Sequence, residues 1–316
     1  MSKVVSIDFG YREIKGINSD GLEIKFPTAL APYVKHPMAE GMDGVVSITK
    51  PGNEPEMYFY GQKALEETGV GFTTEKDKHL HPSHDILMLA AARKLEYESG
   101  DILVVGVPIG YADQKVTLKA HLERLYGDVS VDGGKPKRIS FNNVLVFRQG
   151  IVAFYLIPEL PNGTLISFDI GEHTTDVSTV KFKNGEIEPI PSKCFSLEYG
   201  YSKVIEAVQK EFQSKTGAPV SAEQARIIAE EGTAVYKLKK IDMTMEVLKA
   251  KEEIARNIVD DAMKRLGEVA DFAAGFYLHG GGAEALPIKE MIPGAVVIDN
   301  PQTANARAYL LLAMSE

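Results

Sequence analysis

The chain is nearly without cysteine. Its one thiol, Cys194, excludes an internal disulfide and any cysteine-rich zinc centre. No apolar run approaches the ~18 residues of a membrane span. The N-terminus passes from Met-Ser-Lys straight into a strand-like segment, without a signal-peptide pattern. Positive charge is scarce too, with 35 Lys and Arg against 44 Asp and Glu and a net charge of -9. That balance argues against broad direct binding to nucleic acid, which needs phosphates neutralised by Lys and Arg. These absences predict a cytoplasmic protein with neither nucleic acid nor membrane as a direct partner. Two short basic clusters, KPKR at 135–138 and KLKK at 237–240, read as a solvated loop and a solvated helix face.

Several catalytic signatures are missing as well. There is no GxxxxGK[ST], no HExxH and no GxSxG, which excludes a P-loop and the common zincin and hydrolase motifs. The histidines of HLHPSH, at 79, 81 and 84, sit at a helix start and lack a convincing fourth ligand. No metal is assigned to them.

What is present is an ordinary globular composition, 44% hydrophobic and 25% charged. A chain of 316 residues has the length of two domains. Patterning predicts strands at 3–8, 22–26, 56–60, 102–107 and 139–147, with loops near 32–55 and 127–137. Helices are predicted at 83–98, with Ser83 as N-cap and Gly100 as stop, and at 112–126. A short helical segment follows Gln149. A second strand set then covers 164–170, 175–182 and 186–191, with Asn184-Gly185 as a hairpin turn. Helices at 200–215, 221–231 and 243–267 follow, then a strand at 275–278 and a last helix at 303–314. The apolar stripe of Leu248, Ile254, Ile258, Val259, Met263 and Leu266 marks a core face. Strands followed by helices in each half predict an α/β chain of two similar domains.

The chemistry lies in four glycine-bearing turns: IDFGYREIKG, FRQG, FDIGEHTTD and LHGGGAE. Asp8 and Asp169 are 161 residues apart, about half the chain, and each is followed by x-Gly after an apolar run. A tight turn with glycine lets backbone N–H groups approach phosphate oxygens. Two such turns could clamp a polyphosphate, with Thr174 and Thr175 adding hydroxyl donors and Lys15 a charge. Asp8 and Asp169 suit a hydrated Mg2+, which takes a few carboxylates plus waters and phosphates. Gln149 could orient an attacking water. Gly280, Gly281 and Gly282 would let the chain pass close to a nucleoside at a helix start.

These motifs, in this order, resemble the actin-like ATPase superfamily. IDFGYREIKG is similar to its first phosphate motif, with Asp8, Gly10 and Lys15 matching and Tyr11 in place of a Ser or Thr. FRQG resembles the first connecting motif, which implies that Gln149 positions the hydrolytic water. DIGEHTTDV resembles the second phosphate motif, through Asp169, Gly171, Thr174, Thr175 and Asp176. LHGGGAE resembles the adenosine motif and ANARAYLLL the second connecting motif. VVGVPIGY at 104–111, VLVFRQG at 144–150 and NPQTANARAY point to the prokaryotic plasmid-segregation group, ParM/StbA. Glu172-His173 stands where relatives often carry small residues, and a carboxylate there would repel a γ-phosphate unless it points outward. Ala308 stands where relatives carry Gly.

The resemblance implies a duplicated, ribonuclease H-like α/β fold with a nucleotide cleft between two domains. Domain I would span 1–158, completed by the helix at 303–316, and domain II 159–302. It implies an ATPase that binds ATP or ADP with Mg2+, forms a homopolymer filament and reaches plasmid DNA through a DNA-bound adaptor. A non-segregating actin-fold scaffold and a small-molecule kinase of the same fold remain as alternatives. The kinase would need a base facing an acceptor hydroxyl, for which Asp113 is the best candidate.

Overall fold

The computed structural model describes residues 2–35, 41–68 and 81–315. The chain divides into two compact units. Unit 1 comprises Met1–Tyr155 with Asn305–Glu316, and unit 2 comprises Leu156–Ala304.

Among its described residues, unit 1 forms two five-stranded sheets. In the first, β1 (Val4–Phe9), β2 (Glu13–Asn18) and β3 (Glu23–Pro27) form an antiparallel meander. The second sheet has the order β4-β6-β5-β8-β9. Its strands are β4 (Leu30–Pro32), β5 (Val45–Thr49), β6 (Glu56–Tyr60), β8 (Tyr126–Val131) and β9 (Lys137–Ser140). The first sheet is completed by parallel strands β7 (Ile102–Val107) and β10 (Asn143–Arg148), giving β10-β7-β1-β2-β3. Helices α1 (Gly61–Thr68), α2 (Pro82–Lys94) and α3 (Lys115–Leu122) accompany these sheets. α2 packs against strands of both sheets and buries Leu87, Met88, Leu89, Ala90, Ala91 and Ala92. A helix covered on every side needs no polar face, hence its almost uninterrupted apolar sequence.

Unit 2 repeats the first sheet of unit 1. β11 (Gly163–Ile170), β12 (Thr175–Lys183) and β13 (Glu186–Pro189) form the meander, and β17 (Ala273–His279) and β18 (Val296–Val297) extend it in parallel. The order β13-β12-β11-β17-β18 matches β3-β2-β1-β7-β10 strand for strand. β14 (Phe195–Leu197) pairs with β12, and β15 (Thr233–Tyr236) with β16 (Lys239–Asp242) forms a separate hairpin. The core joins Ile166, Phe168 and Val177 of the sheet to α4 (Ser202–Thr216), α5 (Ala222–Glu231) and α6 (Thr244–Leu266). Short helices α7 (Glu268–Asp271) and α8 (Ile288–Met291) follow. Helix α9 (Ala304–Ser315) returns to unit 1. The duplicated α/β fold expected from the motifs is the fold observed.

Some elements differ from the sequence reading. The predicted strand at 139–147 is two strands, broken at Phe141-Asn142. The predicted loops hide β5 and β8, and β2 follows directly on the first glycine turn. α2 is capped by His81, whose Nδ1 accepts the Ser83 N–H at 3.3 Å, and it stops at Lys94 well before Gly100. KLKK is the tip of the β15–β16 hairpin rather than a helix face. Leu248 lies on the exposed side of α6, where Val247, Ala250 and Ala255 face the core instead. Among the described residues, no helix is long and apolar enough to cross a membrane. His79 and part of the predicted loop at 32–55 lie outside the described residues.

Candidate functional site

In unit 1, β1 carries Asp8 at its end and turns through Gly10, Tyr11, Arg12 and Glu13 into β2. The Gly10 N–H donates to the Glu13 carbonyl at 3.1 Å. A Cβ on Gly10 would lie 2.6 Å from that same oxygen, so only glycine fits. Thr28 holds the outer side of the turn, its N–H on the Arg12 carbonyl and its hydroxyl on the Gly10 carbonyl, both at 2.9 Å. In a trans peptide, a carbonyl and the following N–H point in opposite directions. Pinning these carbonyls to Thr28 therefore aims the Tyr11 and Glu13 N–H groups the other way.

Asp8 is 6% exposed and faces Lys15 across the β1–β2 pair, so the two side chains share one face of the sheet. Lys15 makes no ion pair among the described residues. The Gln149 amide donates to Asp8 Oδ1 at 3.1 Å. Gln149 itself is fixed by its backbone N–H on the Val107 carbonyl at 2.9 Å. Beneath it is Gly106, where an added Cβ would lie 1.9 Å from Tyr309 Oη. The Ser6 hydroxyl, donating to the Ala306 carbonyl at 2.6 Å, ties β1 to α9. Ala308, also on α9, is fully buried. Unit 1 thus brings Asp8, Gly10, Tyr11, Lys15 and Gln149 to one end of its sheet.

Unit 2 repeats the turn. Ile170 pairs with Thr175 as Phe9 pairs with Ile14, and the Gly171 N–H donates to the Thr174 carbonyl at 2.9 Å. Here the N-terminal end of α4 takes the role of Thr28. The Tyr201 and Ser202 N–H groups donate to the Gly171 and Glu172 carbonyls at 3.1 and 2.8 Å. The Glu172 and His173 N–H groups are thereby aimed away from α4. Gly200 is required at this seam, since a Cβ there would come 2.5 Å from the Glu172 carbonyl oxygen.

Asp169 stands two residues before Gly171, with His279 Nδ1 of β17 at 3.6 Å from its Oδ1. The three glycines after β17 have different surroundings. A Cβ on Gly280 would meet Asp169 Oδ1 at 2.5 Å, and one on Gly282 would meet Ile170 Cγ2 at 2.2 Å. Gly281 faces open space, with nothing within 4 Å of its Cβ position. The glycines close a turn onto β11, through the Gly282 N–H on the Ile170 carbonyl at 2.9 Å. They are not a helix start, since the next helix begins only at Ile288.

Thr175 corrects the sequence reading. It is fully buried and its hydroxyl donates to the Tyr199 carbonyl at 2.8 Å, so its one proton is committed. Thr174 is the hydroxyl the turn itself offers. Asp176, also in the motif, is buried and accepts from the Ser196 hydroxyl.

Three features had no sequence signal. The Glu172 carboxylate pairs with Arg226 of α5, and both side chains are nearly buried, at 12% and 13% exposure. The Arg226 guanidinium also lies over the Tyr201 ring at 5.6 Å. The third is His173, whose pKa is lowered mainly by burial, helped by Arg226 and Lys203 and opposed by Glu172 and Glu206. Lys203 and Glu206 pair with each other at 2.8 Å on the exposed side of α4. Asp113, the candidate kinase base, is solvent-exposed.

Among the described residues, no group of three or more His, Cys, Asp or Glu gathers as a metal cage. Asp8 and Asp169 are instead single carboxylates beside backbone turns. A single carboxylate of this kind fits Mg2+, which keeps its waters and takes substrate phosphates as ligands. The turns, lined by N–H groups with glycine where a Cβ would intrude, fit a polyphosphate.

Residues 6–151 match the family model of the actin-like protein N-terminal domain, and residues 167–290 that of the MreB-like archaeal actin homologue C-terminal region. Archaeal actin homologs of Thermoplasma acidophilum and Thermoplasma volcanium are each 26% identical across 97% of both chains. A 15-stranded ParM filament from Clostridium botulinum superposes with a TM-score of 0.87 at 22% identity, covering 100% of this chain and 99% of that one. An archaeal actin homolog in complex with ADP superposes with a TM-score of 0.81 at 23% identity, covering 99% of each chain. With both halves matched by its family models and the same sheet built twice, the chain belongs to the actin-like superfamily.

Proposed function

We propose that this chain is a filament-forming actin-like ATPase. One observation carries the reading. Two glycine hairpins at equivalent places in a repeated sheet each follow an Asp, and each has its carbonyls pinned on one side. A turn lined by such N–H groups is what a nucleoside polyphosphate requires, and each unit supplies one. The relatives named above support it, one being an ADP complex and another a filament.

In this reading the Gly10 and Gly171 turns bind the phosphates, with Lys15 and Thr174 beside them. Gly281, the open member of its turn, lets the chain lie against the nucleoside. Asp8 and Asp169 would hold Mg2+ through its waters, and the bound ion would neutralise phosphate charge. Gln149, already donating to Asp8, orients the attacking water from a fixed backbone. ATP would favour assembly of a homopolymer and hydrolysis would destabilise it. The acidic chain, lacking a nucleic-acid motif, would act in the cytoplasm and reach plasmid DNA through an adaptor protein.

Right-angle light scattering and phosphate release, followed together after adding ATP and Mg2+ to purified protein, test this. A rise in scattering that decays as phosphate appears supports a dynamic filament. Phosphate release without scattering removes the polymer, and neither signal leaves a non-hydrolysing scaffold. Asp169→Ala should abolish release; normal release would remove its role.

A further inference from the structure

A glutamate in a turn that wraps phosphate is an electrostatic contradiction. Glu172 supplies one of the backbone N–H groups aimed from the second turn, yet its own side chain is an anion. The structure contains a compensating charge. Arg226, 54 residues further on, reaches from α5 to the Glu172 carboxylate. Both side chains are nearly buried, and the guanidinium also lies over the Tyr201 ring. Tyr201 belongs to the same seam, since its N–H holds the Gly171 carbonyl. One arginine therefore touches both the side chain in the turn and the residue that pins the turn's backbone.

We infer that Arg226 is a positioning residue that holds the Glu172 charge away from the terminal phosphate, and so sets how well the site accepts a nucleoside triphosphate over a diphosphate. The inference rests on the reading of the Gly171 turn as a phosphate site. It follows from sign and distance. Like charges a few ångströms apart in a partly dry site repel strongly, and pairing one of them cancels most of that repulsion. The extra negative charge of a triphosphate is the part of the ligand that would feel an unpaired Glu172.

A purely structural ion pair makes a different prediction. Removing either partner would lower stability, because a buried charge is left unpaired, while removing both would be tolerated. Nucleotide preference would not change sign. The two accounts separate in three variants, Arg226→Met, Glu172→Gln and the double variant. The assay is calorimetric titration with ADP and with a non-hydrolysable ATP analogue in Mg2+, each variant's melting temperature being recorded.

For Arg226→Met, the ATP analogue should bind at least about tenfold more weakly while ADP changes by about twofold or less. The double variant should recover triphosphate binding. Glu172→Gln alone leaves Arg226 as an unpaired cation beside the turn, so it should tighten the triphosphate relative to ADP. That variant keeps the test decisive should Arg226→Met fail to fold. Equal effects on both nucleotides, or a Glu172→Gln variant with an unchanged ratio, would overturn the inference. Absence of nucleotide binding by the unmodified protein would instead remove the phosphate-site reading beneath it.

Discussion

Replacing Gly106 by alanine places a methyl group where unit 1 has no room. The new Cβ would lie 1.9 Å from Tyr309 Oη, 2.4 Å from Tyr309 Cζ and 3.0 Å from Gln149 Cγ. Tyr309 is fully buried, and its ring stacks on Phe147 at 6.2 Å, so it has little freedom to swing aside. Gly106 lies within β7 and has no positive φ, so alanine suits the backbone and the effect is purely steric. Overpacking a filled core costs about 1–3 kcal/mol, and a contact this short with a ring belongs at the upper end. At roughly 2–4 °C per kcal/mol for a unit of this size, the melting temperature should fall by about 5–10 °C. A second effect is local. Gln149 would be pushed from Asp8, so phosphate release should fall by more than the loss of folded protein explains. Thermal melts by circular dichroism and a phosphate-release assay read the two effects separately. Tyr309→Leu in the same background should restore part of the stability, giving a favourable coupling energy. A Gly106→Ala protein that melts within about 1 °C of the original and hydrolyses normally would refute this account of how Gln149 is seated.

Gln149→Ala should bind nucleotide normally and release phosphate at least about tenfold more slowly, lengthening filament lifetime. Loss of binding would make Gln149 structural. Lys15→Ala should weaken ATP and ADP alike in a titration, and unchanged affinities would remove Lys15 from the phosphates. Burial pushes the Asp132 carboxyl up, but hydrogen bonds from Lys94, Tyr60 and the Gly44 N–H outweigh it and hold the pKa below the usual range. A lowered folded pKa gives stability that is present above the unfolded value of ~3.9 and is lost as pH falls through the folded one. Asp132→Asn, which suits the positive φ of 54° there, should therefore cost about 1 kcal/mol at pH 7 and nothing once the Asp132 carboxyl is protonated in the folded and unfolded chain alike. Urea melts at neutral and acid pH check it, and a pH-independent difference would refute the ionic account.

The architecture was legible where local signals and tertiary context agreed. Asn184 and Gly185 take φ values of 54° and 89°, the paired left-handed turn their types announce. Elsewhere context decided. β2 carries no local strand signal because Gly16 interrupts EIKGIN, yet that glycine is needed for packing, its Cβ position lying 2.6 Å from Leu95 Cδ1. The hairpin tip at Lys237-Leu238 has positive φ at two residues that give no warning of it. α2 ends early because the chain reverses at Leu95-Glu96, where Asn18 Nδ2 donates to the Leu95 carbonyl at 3.0 Å. That partner is 77 residues distant and invisible to any local pattern. The site divides similarly. Its glycines and aspartates could be read from the chain, while Thr28, Gly106, Tyr309 and Arg226 act through the fold alone.

Both turns present main-chain groups whose direction is fixed by Thr28 or by the start of α4. Recognition of this kind is written in peptide geometry rather than in side-chain identity. Tyr11, Glu172 and His173 can therefore drift in evolution, each new side chain needing only to be kept out of the ligand's way. The glycines and the bracing contacts cannot drift so freely. Main-chain recognition of this kind tolerates side-chain change of the extent that separates this chain from the Thermoplasma homologs, at 26% identity.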